Sequence, residues 1–376
     1  MKKLFTILAV AAALAFVSCD DGDDYQTGQS SGSIPDESEE LLPAKDGRVA
    51  IAYVTWYGKA IPDPTVMTHI CYAFAELYVR DGVYEGFKLQ GNEDRFRQVV
   101  ALKKKNPKLK ISLSFSHTVD NSDNWQGGGF SALAKSDEYR KAFAKDCRDF
   151  CSKWGIDGID IDWEFPGLSW SGHACDPSVD VENHVLLMKQ LRETLGTRYL
   201  LTYAGYGKDV IESSGGRKYI DIAGVDPYVD WVNIMTYDLD AAPNHQSALK
   251  DKSAYLDCDR AIKAYINAGV APSKMVLGIP FYGRHSFDGS PSAIDYNKII
   301  LLDKSIYKID NWDNDASVPY VTENGKYYCG YDNPKSIAIK GDWIRGLGMK
   351  GMMYWDYNAD DNKQTLCKAV WQAVMK

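Results

Sequence analysis

The sequence predicts an α/β fold: a (β/α)8 TIM barrel with a small α+β insertion between strands 7 and 8. Apolar extended runs alternate with amphipathic helical patterns from residue 48 onward, which is typical of repeated βα units. There are eight such runs, and 376 residues is a common size for one barrel with insertions. The alternation breaks once, between the seventh and eighth runs.

The barrel elements follow in order along the chain. The predicted strands are residues 49–56, 69–74, 110–115, 158–163, 199–204, 231–237, 275–281 and 351–355. Helical spacing of apolar residues is clearest over 139–154 and 185–195, and a helix over 258–268 is expected to end at Gly269. Residues 284–340, rich in Tyr, Asn, Asp and Gly, are predicted to form the insertion. Catalytic residues are expected at the C-terminal ends of the barrel strands.

The N-terminus has the pattern of an export signal. Lys2 and Lys3 precede an apolar run over residues 4–17, which is too short for the ~20 residues of a membrane-spanning helix. Residues 16–19, Phe-Val-Ser-Cys, resemble the lipobox of bacterial lipoproteins. This resemblance implies that residues 1–19 form a lipoprotein signal peptide and that Cys19 is lipidated. Ordinary signal cleavage, without a lipid, is the alternative.

The segment after the signal is predicted to be an acidic, flexible tether over residues 20–46, because it is too polar to bury a core. Its first acidic residues, 20–24, resemble the tract that directs some Gram-negative lipoproteins to the outer surface. We therefore expect a protein that is secreted across the inner membrane and lipid-anchored at the outer membrane and cell surface. The expected contact with the membrane is through this anchor only.

Charge and cysteine content exclude several classes of function. The net charge is −8, but residues 20–40 contain eight acidic residues and no Lys or Arg, so the rest of the chain is close to neutral. A neutral body favours neutral substrates and predicts no binding to nucleic acid. The seven cysteines other than Cys19 leave disulfide pairing open, and their spacing predicts no metal site. Cys147 and Cys151, one helical turn apart, are interpreted as small buried hydrophobic residues.

Three acidic residues alternate along the fourth predicted strand. Alternate side chains of a strand share a face about 6.5–7 Å apart, so Asp160, Asp162 and Glu164 are expected to point into the barrel together. Like charges this close raise one another's pKa, and burial adds to the effect. Glu164, at the C-terminal end, is the predicted general acid. Asp162 is expected to share a proton with Asp160 and to turn toward Glu164. An exposed acidic edge strand and a Mg²⁺ or Ca²⁺ site are the alternatives.

Residues 157–164 are similar to the D-G-x-D-x-D-x-E signature of family 18 of the glycoside hydrolases, the chitinase family. The resemblance extends over about residues 48–376, which implies that residues 47–376 form the catalytic barrel. Further segments that resemble family motifs are 68–75, 235–238, 278–284, 331–337 and 351–355. At the end of the third strand, residues 112–117 depart from the family's S-x-G-G, so the shape of the cleft there is expected to differ.

The family resemblance implies substrate-assisted, retaining hydrolysis without a cofactor or a metal. In that mechanism Glu164 protonates the glycosidic oxygen while the N-acetyl group of the substrate attacks the anomeric carbon. Asp162 orients the acetamido N–H, Asp160 tunes Asp162, and Tyr237 donates its hydroxyl hydrogen to the acetamido carbonyl. Trp355 is expected to form the apolar floor under the sugar. The other residues predicted to contact substrate are Met235, Asp238, Tyr282, Tyr53 and Phe74.

The predicted function is therefore hydrolysis of β-1,4-linked N-acetylglucosamine polymers, namely chitin or chito-oligosaccharides. The predicted partner is an N-acetylglucosamine-containing oligosaccharide or polysaccharide. Two alternatives remain open from the sequence. An endo-β-N-acetylglucosaminidase that acts on N-glycans or peptidoglycan has the same acidic strand. A non-catalytic carbohydrate-binding protein can use the same barrel, although family lectins characteristically lack the glutamate that is present here as Glu164.

Overall fold

A computed structural model of the protein describes residues 40–116, 129–168, 175–208, 210–211 and 216–376. Its centre is a closed barrel of eight parallel strands, in which each strand pairs with the next and the first pairs with the last. The strands are β1 Val49–Thr55, β2 His69–Arg80, β3 Lys110–Ser116, β4 Gly158–Asp162, β5 Leu200–Gly205, β6 Trp231–Ile234, β7 Met275–Pro280 and β8 Gly351–Trp355. The predicted barrel is confirmed, and every predicted strand overlaps an observed one.

Helices surround the barrel in the described part of the chain. The α-helices are Glu93–Val100, Gly129–Lys135, Asp137–Trp154, Asp180–Leu195, Ile222–Val225, Cys258–Asn267, Tyr296–Ile299, Pro334–Gly346 and Thr365–Met375. The 3-10 helices are Ala101–Lys104, Asp226–Tyr228, Pro272–Lys274 and Tyr357–Ala359. No helix within the described ranges is long and apolar enough to cross a membrane.

The helix Asp137–Trp154 illustrates why these segments form where they do. Ser136 caps its first turn by accepting a hydrogen bond from the Tyr139 N–H, and it ends at Gly155, whose φ of 65° suits glycine. The apolar face of the helix packs on the barrel. Cys147 and Cys151 are buried on that face, as predicted, and both are free thiols.

Two sheets extend beyond the barrel. The strand Val83–Leu89 forms an antiparallel hairpin with the long β2. A five-stranded antiparallel sheet lies between β7 and β8 and begins at Tyr282, two residues after β7 ends. Its strands, in spatial order, are Ala293–Asp295, Tyr282–Arg284, Lys326–Gly330, Val318–Glu323 and Tyr307–Asp313. A separate two-stranded pairing joins Val210–Ile211 to Arg217–Lys218.

A buried ion pair lies where the helix Pro334–Gly346 meets the loop after β6. Lys340 Nζ lies 2.8 Å from both carboxylate oxygens of Asp332, and both side chains are completely buried. The same ammonium group donates to the backbone oxygen and the hydroxyl of Ser247, at 2.7 and 2.8 Å. Since all its contacts are satisfied, this pair fixes the loop that carries several candidate site residues.

Candidate active site

Asp160 lies at the centre of the barrel interior, where four strands supply donors to its carboxylate. Oδ2 accepts hydrogen bonds from Tyr53 Oη at 2.9 Å and Ser114 Oγ at 2.8 Å. Oδ1 accepts from Thr202 Oγ1 at 2.6 Å and Asn233 Nδ2 at 3.2 Å. Burial raises the pKa of Asp160, and these four hydrogen bonds oppose the rise because they stabilise the carboxylate.

The contacts of Asp160 correct one expectation from the sequence. Asp162 was expected to share a proton with Asp160, but the two oxygens of Asp160 are taken by hydroxyl and amide donors. Asp162 is hydrogen-bonded to Glu164, toward which it was also expected to turn. The reason is that polar side chains from four other barrel strands donate to both oxygens of Asp160. Asp160 therefore acts on Asp162 through its charge.

Asp162 and Glu164 form a hydrogen-bonded pair of carboxyl groups at the C-terminal end of β4. The pKa of Asp162 is raised well above its usual value by burial, with the charges of Glu164 and Asp160 adding to the rise. Burial also raises the pKa of Glu164 to about 7, against the hydrogen bond from Asp162 and with a contribution from Asp238. The pair therefore retains a proton at neutral pH, as a general acid requires. Asp162 Oδ1 is buried without a hydrogen-bond donor from the described residues.

Tyr237 follows β6 and stands beside this pair. Its ring is buried, its hydroxyl lies 3.9 Å from Met353 Sδ, and burial raises its pKa well above the usual value, with Asp162 and Glu164 contributing. Gly278 makes room for the ring, since a Cβ at that position would lie 2.8 Å from Tyr237 Cε1. The phenol therefore remains protonated and can donate a hydrogen bond.

Asp238 is held by a bidentate ion pair with Arg284, at 2.8 Å for Nε–Oδ1 and 2.6 Å for Nη2–Oδ2. The guanidinium group also lies 5.3 Å from the centre of the Tyr282 ring and 5.5 Å from that of Phe287. Asp238 has a φ of 54°, in the left-handed region. Arg284 was not among the predicted site residues, although it lies in the segment 278–284 that resembles a family motif.

Aromatic rings meet at the end of β8. Trp355 is half-buried, and its ring stacks on Phe74 with centroids 5.6 Å apart and planes at 21°. Tyr53 lies on a tilted plane 5.8 Å from the same indole ring. The peptide bonds that follow Ala73, Glu164 and Trp355 are cis. The structure thus brings Tyr53, Phe74 and Trp355 together, with Tyr53 also contacting Asp160.

The remaining predicted residues are placed as follows. Met235 is buried just after β6, where its N–H donates to the Gly205 oxygen at 2.7 Å. Tyr282 is buried and packs edge-on against Tyr237, with centroids 6.3 Å apart. Cys19, the rest of the predicted signal peptide, and tether residues 20–39 lie outside the described residues, as does His117 of the third-strand segment.

Sequence reasoning missed the donors that hold Asp160, namely Ser114, Thr202 and Asn233. A usable signal was present, because each is a polar residue inside a predicted barrel strand, and such strands are usually apolar on both faces. The described part of the chain contains no group of three or more His, Cys, Asp or Glu arranged to hold a metal ion. Both carboxylate oxygens of Asp160 already accept hydrogen bonds from neighbouring side chains. Asp160 therefore fits a hydrogen-bonded network better than a cation site.

A barrel with paired carboxyl groups and clustered aromatic rings at the C-terminal ends of its strands is typical of a glycosidase. The family model for glycosyl hydrolases family 18 matches residues 49–360. The chain belongs to glycoside hydrolase family 18 and is a chitinase-like glycosidase.

Curated relatives and solved structures agree with this assignment. Chitinase A1 of Niallia circulans is 30% identical over 317 residues, which cover 71% of this chain and 43% of that protein. The chain thus spans less than half of that relative. Chitinase ChiW of Paenibacillus sp. str. FPU-7, described as cell-surface-expressed and multi-modular, has 27% identity and a TM-score of 0.72, covering 87% of this chain and 42% of that one. A family 18 N-acetylglucosaminidase of Paenibacillus barengoltzii has 26% identity and a TM-score of 0.71, covering 87% and 99%.

Proposed function

We propose that this protein hydrolyses β-1,4-linked N-acetylglucosamine polymers, chitin or chito-oligosaccharides, by substrate-assisted retaining catalysis. The observation that carries the proposal is the hydrogen-bonded pair of Asp162 and Glu164 beside Tyr237. Such a pair supplies one acidic proton and one acceptor within a single site. Relatives named chitinases support the choice of substrate. The chain outside residues 20–40 is close to neutral, which also suits an uncharged polymer.

The first step breaks the glycosidic bond. Glu164 donates its proton to the glycosidic oxygen, and the bonding electrons leave with that oxygen as a hydroxyl on the departing sugar. The acetamido carbonyl oxygen attacks the anomeric carbon from the opposite face, giving a bicyclic oxazolinium ion. Tyr237 donates a hydrogen bond to this carbonyl and fixes its approach.

Asp162 changes its partner during this step. In the free protein it is bonded to Glu164. When substrate enters, the acetamido N–H needs an acceptor, and the buried, donor-free Oδ1 of Asp162 can supply it. The proton of the pair then resides on Glu164, where it is required. The negative charge on Asp162, reinforced by Asp160, stabilises the positive oxazolinium ion.

The second step restores the enzyme. Glu164, now a carboxylate, takes a proton from water as the water oxygen attacks the anomeric carbon. The oxazolinium ring opens to regenerate the acetamide. Both steps invert the anomeric centre, so the configuration of the product is that of the substrate.

Product analysis tests this function against its alternatives. Purified protein is incubated with chito-oligosaccharides, an N-glycoprotein and peptidoglycan, with Glu164→Gln as the matched control, and products are identified by mass spectrometry. We expect release of N-acetylglucosamine oligomers from the first substrate. Release from only the glycoprotein or peptidoglycan would favour the endo-β-N-acetylglucosaminidase alternative. Binding without cleavage of any of the three would favour a carbohydrate-binding protein.

We further propose that Cys19 carries the lipid anchor and that the acidic residues after it direct the protein to the outer surface. The support is the signal pattern of residues 1–19 and the acidic run 20–24. Because one acyl chain binds membranes only marginally, stable attachment needs the several chains that lipoprotein processing adds.

Fractionation of cells tests the anchor. Cys19→Ala is expected to move the protein from the membrane to a soluble fraction or to block its processing. Cys175→Ala, which removes a free thiol in the barrel domain, serves as the control and stays in the membrane fraction. Wild-type protein found in the culture medium, with an N-terminus other than Cys19, contradicts the anchor.

A further inference from the structure

The barrel carries a basic surface at the N-terminal ends of its strands, on the side away from the acid pair. Residues 103–110 contain five lysines and no Asp or Glu, and they lead into β3 at Lys110. Arg48 directly precedes β1, and Lys350 directly precedes β8. Because the N-terminal ends of parallel barrel strands share one face, these residues lie opposite the catalytic mouth. We call the surface formed by residues 103–110, Arg48 and Lys350 the basic face.

Contacts beneath the barrel bring parts of the basic face together. Lys103 Nζ lies 2.6 Å from Asp157 Oδ2, and Lys110 Nζ lies 3.1 Å from Asp157 Oδ1. Burial lowers the pKa of His69, the first residue of β2, to about 4, and the charges of Lys350 and Lys110 add to the fall. The residues before β8 and the start of β3 thus act on the same buried group.

Three lysines of the basic face carry charge that no nearby carboxylate neutralises. Lys104, Lys105 and Lys108 are exposed, and within the described ranges no Asp or Glu forms an ion pair with them. Asp157 is shared by Lys103 and Lys110 instead. Three unpaired ammonium groups within five residues repel one another, and a surface of this kind attracts anions.

The predicted tether joins the barrel at the same face. The Leu42 N–H donates to Gln372 Oε1 at 3.0 Å, and Trp371 Nε1 donates to the Leu42 oxygen at 2.8 Å. Gln372 Nε2 donates to the Glu40 oxygen at 3.2 Å. Gln372 lies in the last turn of the helix Thr365–Met375, and helices of a βα barrel end on the N-terminal face because they run antiparallel to the strands. The chain is thus fixed on this side before β1 begins.

The length of the tether limits how far the basic face lies from a lipid at Cys19. Residues 20–39 separate that cysteine from Glu40, and a segment of this length spans at most roughly 70 Å. Attraction between exposed lysines and an anionic surface fades beyond roughly 8 Å at physiological salt. Attachment to the membrane raises the effective concentration of the basic face there, so individually weak contacts suffice to hold it.

We propose that the basic face binds the phosphate groups of the membrane surface to which the anchor attaches the protein, so that the catalytic mouth opens away from that membrane. Lysine ammonium groups bind phosphate as point charges and need no shaped pocket. The sequence predicted contact with the membrane through the anchor only, and the basic face adds a second contact. This orientation rests on the proposed anchor, because the tether sets which surface is near.

Binding to vesicles tests the basic face without the lipid. The parent protein is the chain expressed without residues 1–18 and with Cys19→Ala, which keeps the tether and every described residue. Its sedimentation with vesicles of phosphatidylcholine is compared with its sedimentation with vesicles that also contain phosphatidylglycerol. We expect binding to the anionic vesicles only, and weaker binding as the salt concentration rises. Parent protein that does not bind the anionic vesicles overturns the proposal, including the case in which the acidic tether occupies the basic face.

Reversing the three unpaired charges is expected to weaken this binding roughly tenfold to a hundredfold, because each lysine near an anionic surface contributes about fivefold. The variant combines Lys104→Glu, Lys105→Glu and Lys108→Glu. Arginine at the same three positions keeps the charge and should bind like the parent. The matched control reverses three lysines that are also exposed, that form no ion pair in the described part of the chain and that belong to the insertion on the mouth side, namely Lys304, Lys308 and Lys326. It should change binding by less than about threefold.

The comparison of the two triple variants decides the proposal. Unchanged binding when the basic face is reversed, or an equal loss in the control, overturns it. Tighter binding of the parent to duplex DNA than to the vesicles, at equal phosphate concentration, also overturns it. Reversal of the basic face should leave turnover of a soluble chitin trimer unchanged, because the mouth lies across the barrel. Wild-type protein that fails the Cys19 fractionation test, with vesicle binding intact, would overturn the anchor and the orientation but not the binding surface. Failure to cleave chito-oligosaccharides would overturn only the proposed hydrolysis.

Discussion

Glu164→Gln is expected to make the protein more stable at alkaline pH while removing its activity. Burial raises the pKa of Glu164 from 4.5 to about 7, so the folded protein resists ionisation of a group that ionises readily when unfolded. The contribution of the neutral carboxyl to stability is fully present below pH 4.5. It is lost as the pH rises through about 7.

The size of the effect follows from the pKa change. A rise from 4.5 to about 7 corresponds to about 3 kcal/mol of unfolding free energy, since each tenfold change in the ionisation constant is worth about 1.4 kcal/mol. Glu164 keeps part of its surface exposed, and solvent screening reduces this value. We therefore expect Glu164→Gln to exceed the wild type by roughly 2 kcal/mol at pH 8, with little difference at pH 4.

Urea unfolding at pH 4, 6 and 8, followed by tryptophan fluorescence, measures this difference. Glu193→Gln is the control, because it removes an exposed carboxylate from a surface helix and should give a difference that changes little with pH. A stability difference between Glu164→Gln and wild type that is the same at all three pH values would show that the environment of Glu164 does not raise its pKa.

Three further predictions follow from the site and its support. Tyr237→Phe should lower kcat about tenfold or more on chito-oligosaccharides while KM changes little, because the lost hydrogen bond positions the attacking carbonyl; an unchanged kcat contradicts that role. Asp238→Asn should lower the pKa of Glu164, because the negative charge of Asp238 raises it. The alkaline fall in a pH–rate profile should therefore move to lower pH, and a move to higher pH contradicts this effect of Asp238. Lys340→Met should destabilise the protein by about 3–5 kcal/mol in urea unfolding, because it leaves Asp332 charged and buried; a loss under 1 kcal/mol contradicts this.

The sequence predicted the barrel well because its signals are local. Each strand is an apolar run with a clear start, and the helix Asp137–Trp154 shows its cap and its apolar spacing directly. The ends of elements were less accurate. β2 continues to Arg80, six residues beyond its predicted end, because it pairs there with the strand Val83–Leu89. That pairing depends on a second strand, which the pattern of residues 69–74 does not contain.

The active site was predictable in its residues but less so in its connections. Spacing alone placed Asp160, Asp162 and Glu164 on one inward face. It could not show which of them are hydrogen-bonded, because that depends on Thr202 and Asn233, which are distant in sequence. The ion pair of Asp238 with Arg284 likewise arises only when separate loops meet on the folded chain.

The central claim is that the acetamido group of the substrate, assisted by Glu164, performs the cleavage. Its most direct test compares initial rates on two soluble substrates of equal length, a chito-oligosaccharide and a cello-oligosaccharide, which has a hydroxyl in place of each acetamido group. We predict cleavage of the chito-oligosaccharide only, with Glu164→Gln reducing that rate by roughly 10²–10⁴-fold. Efficient cleavage of the cello-oligosaccharide, or more than about a tenth of wild-type turnover in Glu164→Gln, would contradict it.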